Sequence, residues 1–400
     1  MTRTINDIVV LAGARTGMAE YTGHFSRLSA IDLGVVASKA ALERAKVKGD
    51  EVDHVIFGNA LQTSADAIYG ARHVGLKSGV RQDCPAVTVN RLCGSGIESL
   101  VQGAQNIMLG EADVVLAGGM ENMTQAPHVI RGARAGFRLG QAPMEDLLMA
   151  SLLDPHCGLF MAQTAQEVAR RHAISRKEQD EYALRSHRLG ADAVKQGRFA
   201  DEIVPVTIKQ GKKTYEFATD DHIKPDTTLE GLSALPAAFP DKAGEGSVTA
   251  GNASGIVDGA AAVVLTTLDN ASKRGQAPLG RLVSWHRVGV EPAVMGLGPV
   301  PAIEGALAKA KLSLSQIDLI EINEAFAAQY LGCEKLLKLD REKCNVNGGA
   351  IAIGHPLAAT GTRIVLSVLL ELRRRGKRYG VASACIGGGQ GIALVVEALK

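Results

Sequence analysis

The sequence predicts an α/β protein made of two similar halves, with helices covering mostly parallel sheets. Three observations carry this. Short β-branched runs of strand length alternate with segments of helical apolar spacing. The same order of elements returns in the last third of the chain, offset by about 265 to 275 residues. Finally, a 400-residue chain with 46% apolar residues, only 4% aromatics and 45 glycines fits a close-packed α/β core better than an all-β or disordered one.

In the first half, residues 8–11 read as a strand and 30–45 as an amphipathic helix. Residues 52–57 read as a second strand and 65–76 as a helix. A buried strand follows at 86–89, and Ile97, Leu100, Val101, Ala104 and Met108 then fall at helical spacing. Residues 113–119 form a strand that ends in glycines. The second half repeats the order: strand 280–283, helix 301–311, strand 317–322, helix 325–336, helix 358–375, then strands 379–383 and 391–396. The segment EVDHVIFGNAL even echoes QIDLIEINEAF. The missing last strand of the first half is supplied by 259–265, which makes 123–250 a polar, loop-rich insertion. The expected domains are therefore 1–122 with 251–272, the inserted 123–250, and 273–400.

The charge balance of +2 points to neither nucleic acid nor a membrane surface. The basic run 373–378 ends a helix, where cations complement the dipole. The six cysteines contain no Cys-x-x-Cys pair, and His156 beside Cys157 does not make a metal site. Reduced thiols fit a cytosolic or organellar-matrix compartment, and a start without a signal-type apolar region leads to the expectation of a cytoplasmic protein. No uncharged apolar run is long enough to span a bilayer.

Chemistry concentrates in four glycine-rich loops. Cys93, in NRLCGSG, stands where a strand turns into a helix, so the helix dipole and free N–H groups are expected to stabilise its thiolate. Gly94 and Gly96 are read as keeping the sulfur uncrowded for substrate. His355, in NGGAIAIGHP, is poised ahead of a helix as a base for that thiol. Cys385, in SACIGGGQG, offers a second thiol for acid/base work, and the glycines after it offer N–H donors to an oxyanion. Asn323 lies in NEAFA. Taken singly, each has a bland reading: a core cysteine, a hydrogen-bonded histidine, a helix cap. Their recurrence on corresponding loops of a duplicated fold argues against coincidence.

These four segments, together with EADVVLAGGMENM, GNASGIVDGAAAVVL and MGLGPVPA, resemble the thiolase family along the whole chain. The likeness is to acetyl-CoA acetyltransferases and matrix-type 3-ketoacyl-CoA thiolases. It implies duplicated βαβαβαββ halves in a five-layered α/β/α/β/α core, with the insertion covering coenzyme A. It implies Cys93 as the nucleophile that carries the acyl group and His355 as its base. Asn323 would fix an oxyanion-hole water, and Cys385 would be the acid/base at the α-carbon. The backbone N–H groups of Cys93 and Gly387 would form a second oxyanion hole. Ser254, Lys224 and Phe239 match residues near coenzyme A. Phe160 and Met161 match a substrate-touching His-Met pair of short-chain members, and the Phe leans toward longer acyl chains. The partners implied are acetyl-CoA, 3-ketoacyl-CoA and CoA. No metal or cofactor is implied, since CoA is a substrate, and a homodimer or homotetramer is expected.

Three other classes fit less well, the first being a plain cysteine hydrolase, which would need no Cys385 and would not explain the duplication. A non-catalytic acyl-CoA binder of the same fold would have lost a reactive residue, and all four are present. A condensing enzyme acting on acyl carrier protein would carry His or Asn in place of Cys385.

Overall fold

The computed structural model describes residues 3–240 and 245–399; residues 241–244, inside the expected insertion, and the extreme termini lie outside the described residues. Nine strands carry the architecture: β1 (Ile8–Thr16), β2 (His54–Gly58), β3 (Ala86–Val89), β4 (Val114–Glu121), β5 (Val257–Thr267), β6 (Gly280–Gly289), β7 (Leu319–Ile322), β8 (Tyr379–Ile386) and β9 (Gln390–Ala398). The hydrogen-bonded order is β7-β8-β9-β6-β1-β5-β4-β2-β3. Cut between β6 and β1, it gives β3-β2-β4-β5-β1 and β7-β8-β9-β6, the same order read from each outer edge. A parallel bridge from Ile320 to Cys344 stands where β3 would repeat. The halves join thinly, through Val9 opposite Arg281 and Val10 opposite Gly280.

The principal helices are α1 (Ala30–Arg44), α2 (Gly70–Lys77), α3 (Ser95–Leu109), α4 (Met161–Arg171), α5 (Arg176–Lys195), α6 (Pro299–Ala310), α7 (Ala327–Leu337) and α8 (Leu357–Arg374). Period-two alternation decides the layers. In β1, Val9 and Leu11 join the cluster containing Ile31, Leu33 and Val74 of α1 and α2, while Ile8 and Val10 join the one containing Leu100 and Leu366 of α3 and α8. In β9, Leu394 and Val396 face α3 and α8, while Ala393 and Val395 face Ile303 of α6 and Leu331 of α7. The result is five layers, with α3 and α8 sandwiched between the two sheets.

Most strands run longer than the sequence reading because buried small residues such as Ala14 and Ala384 extend them without an alternating signal. The helix expected from residue 65 starts only at Gly70; Ser64 Oγ donates to Asp66 Oδ1 at 2.8 Å, and a 3₁₀ turn, Ala67–Tyr69, intervenes. The helix expected from 325 starts at Ala327, whose N–H is taken by Asn252 O at 2.8 Å.

Between β4 and β5 the chain makes short hairpins, α4 and α5, and touches the sheet again where Ile203 and Val204 pair with the end of β1. A buried Arg15 on β1 ties this excursion down. Its guanidinium grips Asp220 bidentately at 2.7 and 2.8 Å and reaches Glu202 at 3.2 Å. Among the described residues no helix is long and apolar enough to cross a membrane.

Candidate active site

The site is organised by a helix crossing. Cys93 and His355 stand in equivalent places, each two residues ahead of its helix, α3 and α8 respectively. These helices touch backbone to backbone. A Cβ on Gly96 would lie 2.4 Å from Thr362 N, and one on Gly361 would lie 2.4 Å from Ile97 N. Thr362 Oγ1 also donates to Gly96 O at 3.1 Å. The loops preceding the two helices are thereby brought to one place. Here the sequence reading of the glycines needs correction. A Cβ on Gly94 would meet the Ile386 side chain at 2.6 Å, so Gly94 and Gly96 serve packing rather than substrate access.

Cys93 lies in a 3₁₀ turn, Leu92–Gly94, rather than in the helix itself. Leu92 sits at φ +46°, in the left-handed region that a side chain resists. The loop enforces it. Asn90 Oδ1 accepts from Leu92 N at 2.9 Å, and Ser95 Oγ accepts from Arg91 N at 2.8 Å while donating to Leu92 O at 2.7 Å.

Burial pushes the Cys93 thiol up to about 11, against the N–H groups of Gly387 and Cys93 itself, which pull it down. Against the expectation of a stabilised thiolate, desolvation around the half-buried Cys93 outweighs the helix N-terminus and favours a resting thiol. Burial, with a smaller push from Arg363, lowers His355 to about 3, so the imidazole rests neutral. Cys385 is raised well above the ordinary thiol range by burial and by the neighbouring Cys93. A thiol and a neutral imidazole carried by one helix crossing make a nucleophile that calls for general-base help.

His355 Nε2 meets Asn323 Nδ2 at 3.2 Å, and its Nδ1 meets Thr360 Oγ1 at 2.6 Å. Asn323 is 1% exposed, yet its Oδ1 has no partner. A buried acceptor without a donor is what a bound water or substrate group would satisfy. Cys385 is fully buried among Met295 and Ala325, with Met161 and Phe326 against it. Met161 Sδ and Leu92 Cδ1 lie 3.3 and 3.2 Å from where a Cβ on Gly387 would be. Ser254 is held beside them, its N–H donating to Ala325 O at 3.0 Å, and the next residue's carbonyl accepts from His355 N at 2.9 Å.

Phe160 and Phe239 pair with ring centroids 4.9 Å apart, and Phe239 also lines an open cleft of about 740 Å³ with Gln166 and Ser247. Lys224 is the one candidate that stays apart. Its Nζ is held by Glu20 Oε1 at 2.6 Å, away from the thiols.

Two carboxylates were not singled out by the sequence reading. Glu324 is fully buried and accepts from Tyr182 Oη and Ser186 Oγ at 2.7 Å, Asn345 Nδ2 at 2.8 Å and Ile351 N at 3.2 Å. It locks the Asn323 loop to the His355 loop. Glu121 accepts from Asn59 Nδ2, Ala60 N, Leu61 N and Ala358 N at 2.8 to 3.1 Å, and burial raises it to about 7.

Family comparison agrees with this geometry. Residues 8–269 match the model of the thiolase N-terminal domain, and residues 276–398 that of the thiolase C-terminal domain. The chain belongs to the thiolase family. It is 50% identical to the mitochondrial 3-ketoacyl-CoA thiolase of Homo sapiens over 98% of both chains. It is 48% identical to acetyl-CoA acetyltransferase of Escherichia coli K12, over 99% of this chain and 100% of the other. The crystal structure of the human mitochondrial thiolase in complex with CoA superposes with a TM-score of 0.95 over 99% of this chain and 98% of that one. The protein is thus a thiolase, an acyltransferase with the thiolase fold. These relatives also correct the expected cytoplasmic location. The thiolases at 50% identity are named mitochondrial, while bacterial acetyltransferases match as well.

Proposed function

We propose that this thiolase works through an acyl-Cys93 thioester, with the roles shared among four loops. In thiolysis the Cys93 sulfur adds to the 3-keto carbonyl of a 3-ketoacyl-CoA while His355 Nε2 takes its proton. The C2–C3 bond breaks, and the enolate of acetyl-CoA leaves and is protonated at carbon by Cys385. The thiol of a second CoA then attacks the thioester, giving an acyl-CoA shortened by two carbons and freeing Cys93. Condensation is the same path reversed, with Cys385 removing the α-proton of acetyl-CoA. The N–H groups of Cys93 and Gly387 hold one oxyanion. His355 and a water on Asn323 hold the other, and the unpaired Asn323 Oδ1 supports that assignment.

The observation that carries this reading is the pairing of a thiol held neutral by burial with a neutral, hydrogen-bonded imidazole at the same helix crossing. Acid/base and thioester chemistry suffice for every step, so CoA enters as substrate and no cofactor is invoked. Ser254, Met161, Phe160 and Phe239 would line the pantetheine and acyl path, and the segment 123–250 would cover the nucleotide. Lys224 could reach a phosphate only by leaving Glu20.

The aromatic Phe160–Phe239 pair favours a pocket that takes acyl chains beyond acetoacetyl, so we read a broad 3-ketoacyl-CoA thiolase over a strict acetyltransferase. A homodimer is favoured by the outer edge strand β3, where Val87 is 40% exposed with Ile68 and Tyr69 beside it at 70% and 59%.

Thiolysis rates from acetoacetyl-CoA to 3-ketopalmitoyl-CoA test the assignment. Comparable or faster rates at six carbons and beyond are expected. A sharp four-carbon preference would make the protein an acetyltransferase, and no acyl adduct on Cys93 by mass spectrometry would overturn the mechanism.

A further inference from the structure

We propose that Thr360 is a positioning residue that fixes the proton of His355 on Nδ1 and so keeps a lone pair on Nε2, which rests on the Asn323 amide and takes the Cys93 proton when that contact yields. The proposal rests on the thiolase mechanism above and adds a residue to it.

The hydrogen bonds form a chain with one consistent direction. Thr360 Oγ1 lies 2.6 Å from His355 Nδ1 and 3.2 Å from Pro356 O. A hydroxyl has one proton and two lone pairs. Donating that proton back to the Pro356 carbonyl, one helical turn earlier, leaves Thr360 to accept from Nδ1–H. On the opposite side of the ring, the group at 3.2 Å from Nε2 is an amide nitrogen of Asn323, a donor, and it calls for a lone pair there. Both contacts select the same tautomer. The reverse tautomer would point an N–H at the Asn323 amide nitrogen and would leave Nε2 without a lone pair to take a proton. Because the imidazole is buried and neutral, the choice between tautomers is made by such contacts rather than by charge.

Placement strengthens the inference. Thr360 is fully buried on the first turn of α8, immediately before Gly361, which abuts Ile97 N, and two residues before Thr362, which holds Gly96 O. Three successive residues of α8 therefore set the imidazole, the helix spacing and the helix register. No charged group competes for Nδ1. The nearest cation acting on the ring, Arg363, lies a turn further along α8.

The test compares Thr360→Ala, which removes the hydroxyl, with Thr360→Ser, which restores it without the methyl. Both are to be checked for wild-type secondary structure and melting behaviour. Single-turnover acylation of Cys93 by acetoacetyl-CoA is followed alongside steady-state kcat and KM. Thr360→Ala is expected to acylate about ten- to a hundredfold more slowly, the loss of one buried hydrogen bond, with KM little changed. Thr360→Ser is expected to return to within about threefold of the parent. Acylation by Thr360→Ala at the parental rate would overturn the proposal. So would equal loss in Thr360→Ala and Thr360→Ser, because the defect would then follow the lost methyl and its packing. If the parent enzyme itself forms no Cys93 thioester, the mechanism fails rather than the role of Thr360.

Discussion

Gly96 and Gly361 face one another across the α3–α8 crossing so closely that a methyl on either would enter the other helix's backbone. Helices usually meet through side chains, with axes 8 to 10 Å apart. Here they meet through glycine, and Cys93 and His355, the proposed nucleophile and base, hang from the same contact.

Gly96→Ala is accordingly expected to cost about 1–3 kcal/mol or more, since the obstacle is the backbone of Thr362 and Ala358 rather than a mobile side-chain tip. Activity should fall further than stability, because the strain moves Cys93 relative to His355. Urea denaturation with parallel thiolysis assays checks this; a fully active, equally stable variant would contradict the crossing geometry.

The neutral resting pair predicts the reactivity of Cys93. With the thiol at about 11 and the imidazole at about 3, neither group is charged at neutral pH. Iodoacetamide alkylation of Cys93 should be slow near neutrality and climb steeply above about pH 9. A fast plateau from about pH 6 would mean a preformed thiolate–imidazolium pair instead.

Cys385→Ala should still accept an acyl group on Cys93 but lose condensation and thiolysis, whereas Cys93→Ala should lose the adduct itself. Intact-mass measurement after acetyl-CoA separates the two. Normal condensation by Cys385→Ala would remove it from the mechanism.

Glu321, on β7, gives a pH effect on folding. Burial raises it to about 8, while Arg363 pulls it down. Above its ordinary value of 4.5 the unfolded chain releases a proton that the folded chain keeps, so this group's contribution to stability declines as pH rises from 4.5 to 8. Glu321→Gln should therefore gain stability relative to the parent between pH 5 and about 8. Denaturation midpoints at both ends of that range decide the matter; a constant difference would mean that Glu321 is already ionised.

The strands were legible because β-branched runs and their recurrence survive in one dimension. The positions of Cys93, Asn323, His355 and Cys385 were legible because each ends or precedes a regular element within a long motif. What was lost depends on distant partners. The need for Gly94 comes from Ile386, and that for Gly96 from α8, so local reasoning gave both the wrong cause. Glu324 looked like a helix cap, yet its donors come from Tyr182, Ser186, Asn345 and Ile351. Thr360 carries no sequence signal, since any helix may hold a threonine on its first turn. The thiolate expectation failed because burial cannot be read from a loop motif.

The sheet register carries one more consequence. Val55 pairs with Leu116 as Ile320 pairs with Val381, so Asn59 and Glu121 stand at the ends of β2 and β4 one residue further on than Asn323 and Cys385 stand at the ends of β7 and β8. The ancestral doubling thus supplied two pits. In one, Asn323 and Cys385 carry the roles proposed above. In the other, Asn59 binds Glu121, and Glu121 plugs the start of α8 with its own carboxylate. The surrendered pit has become the footing on which the working one is built.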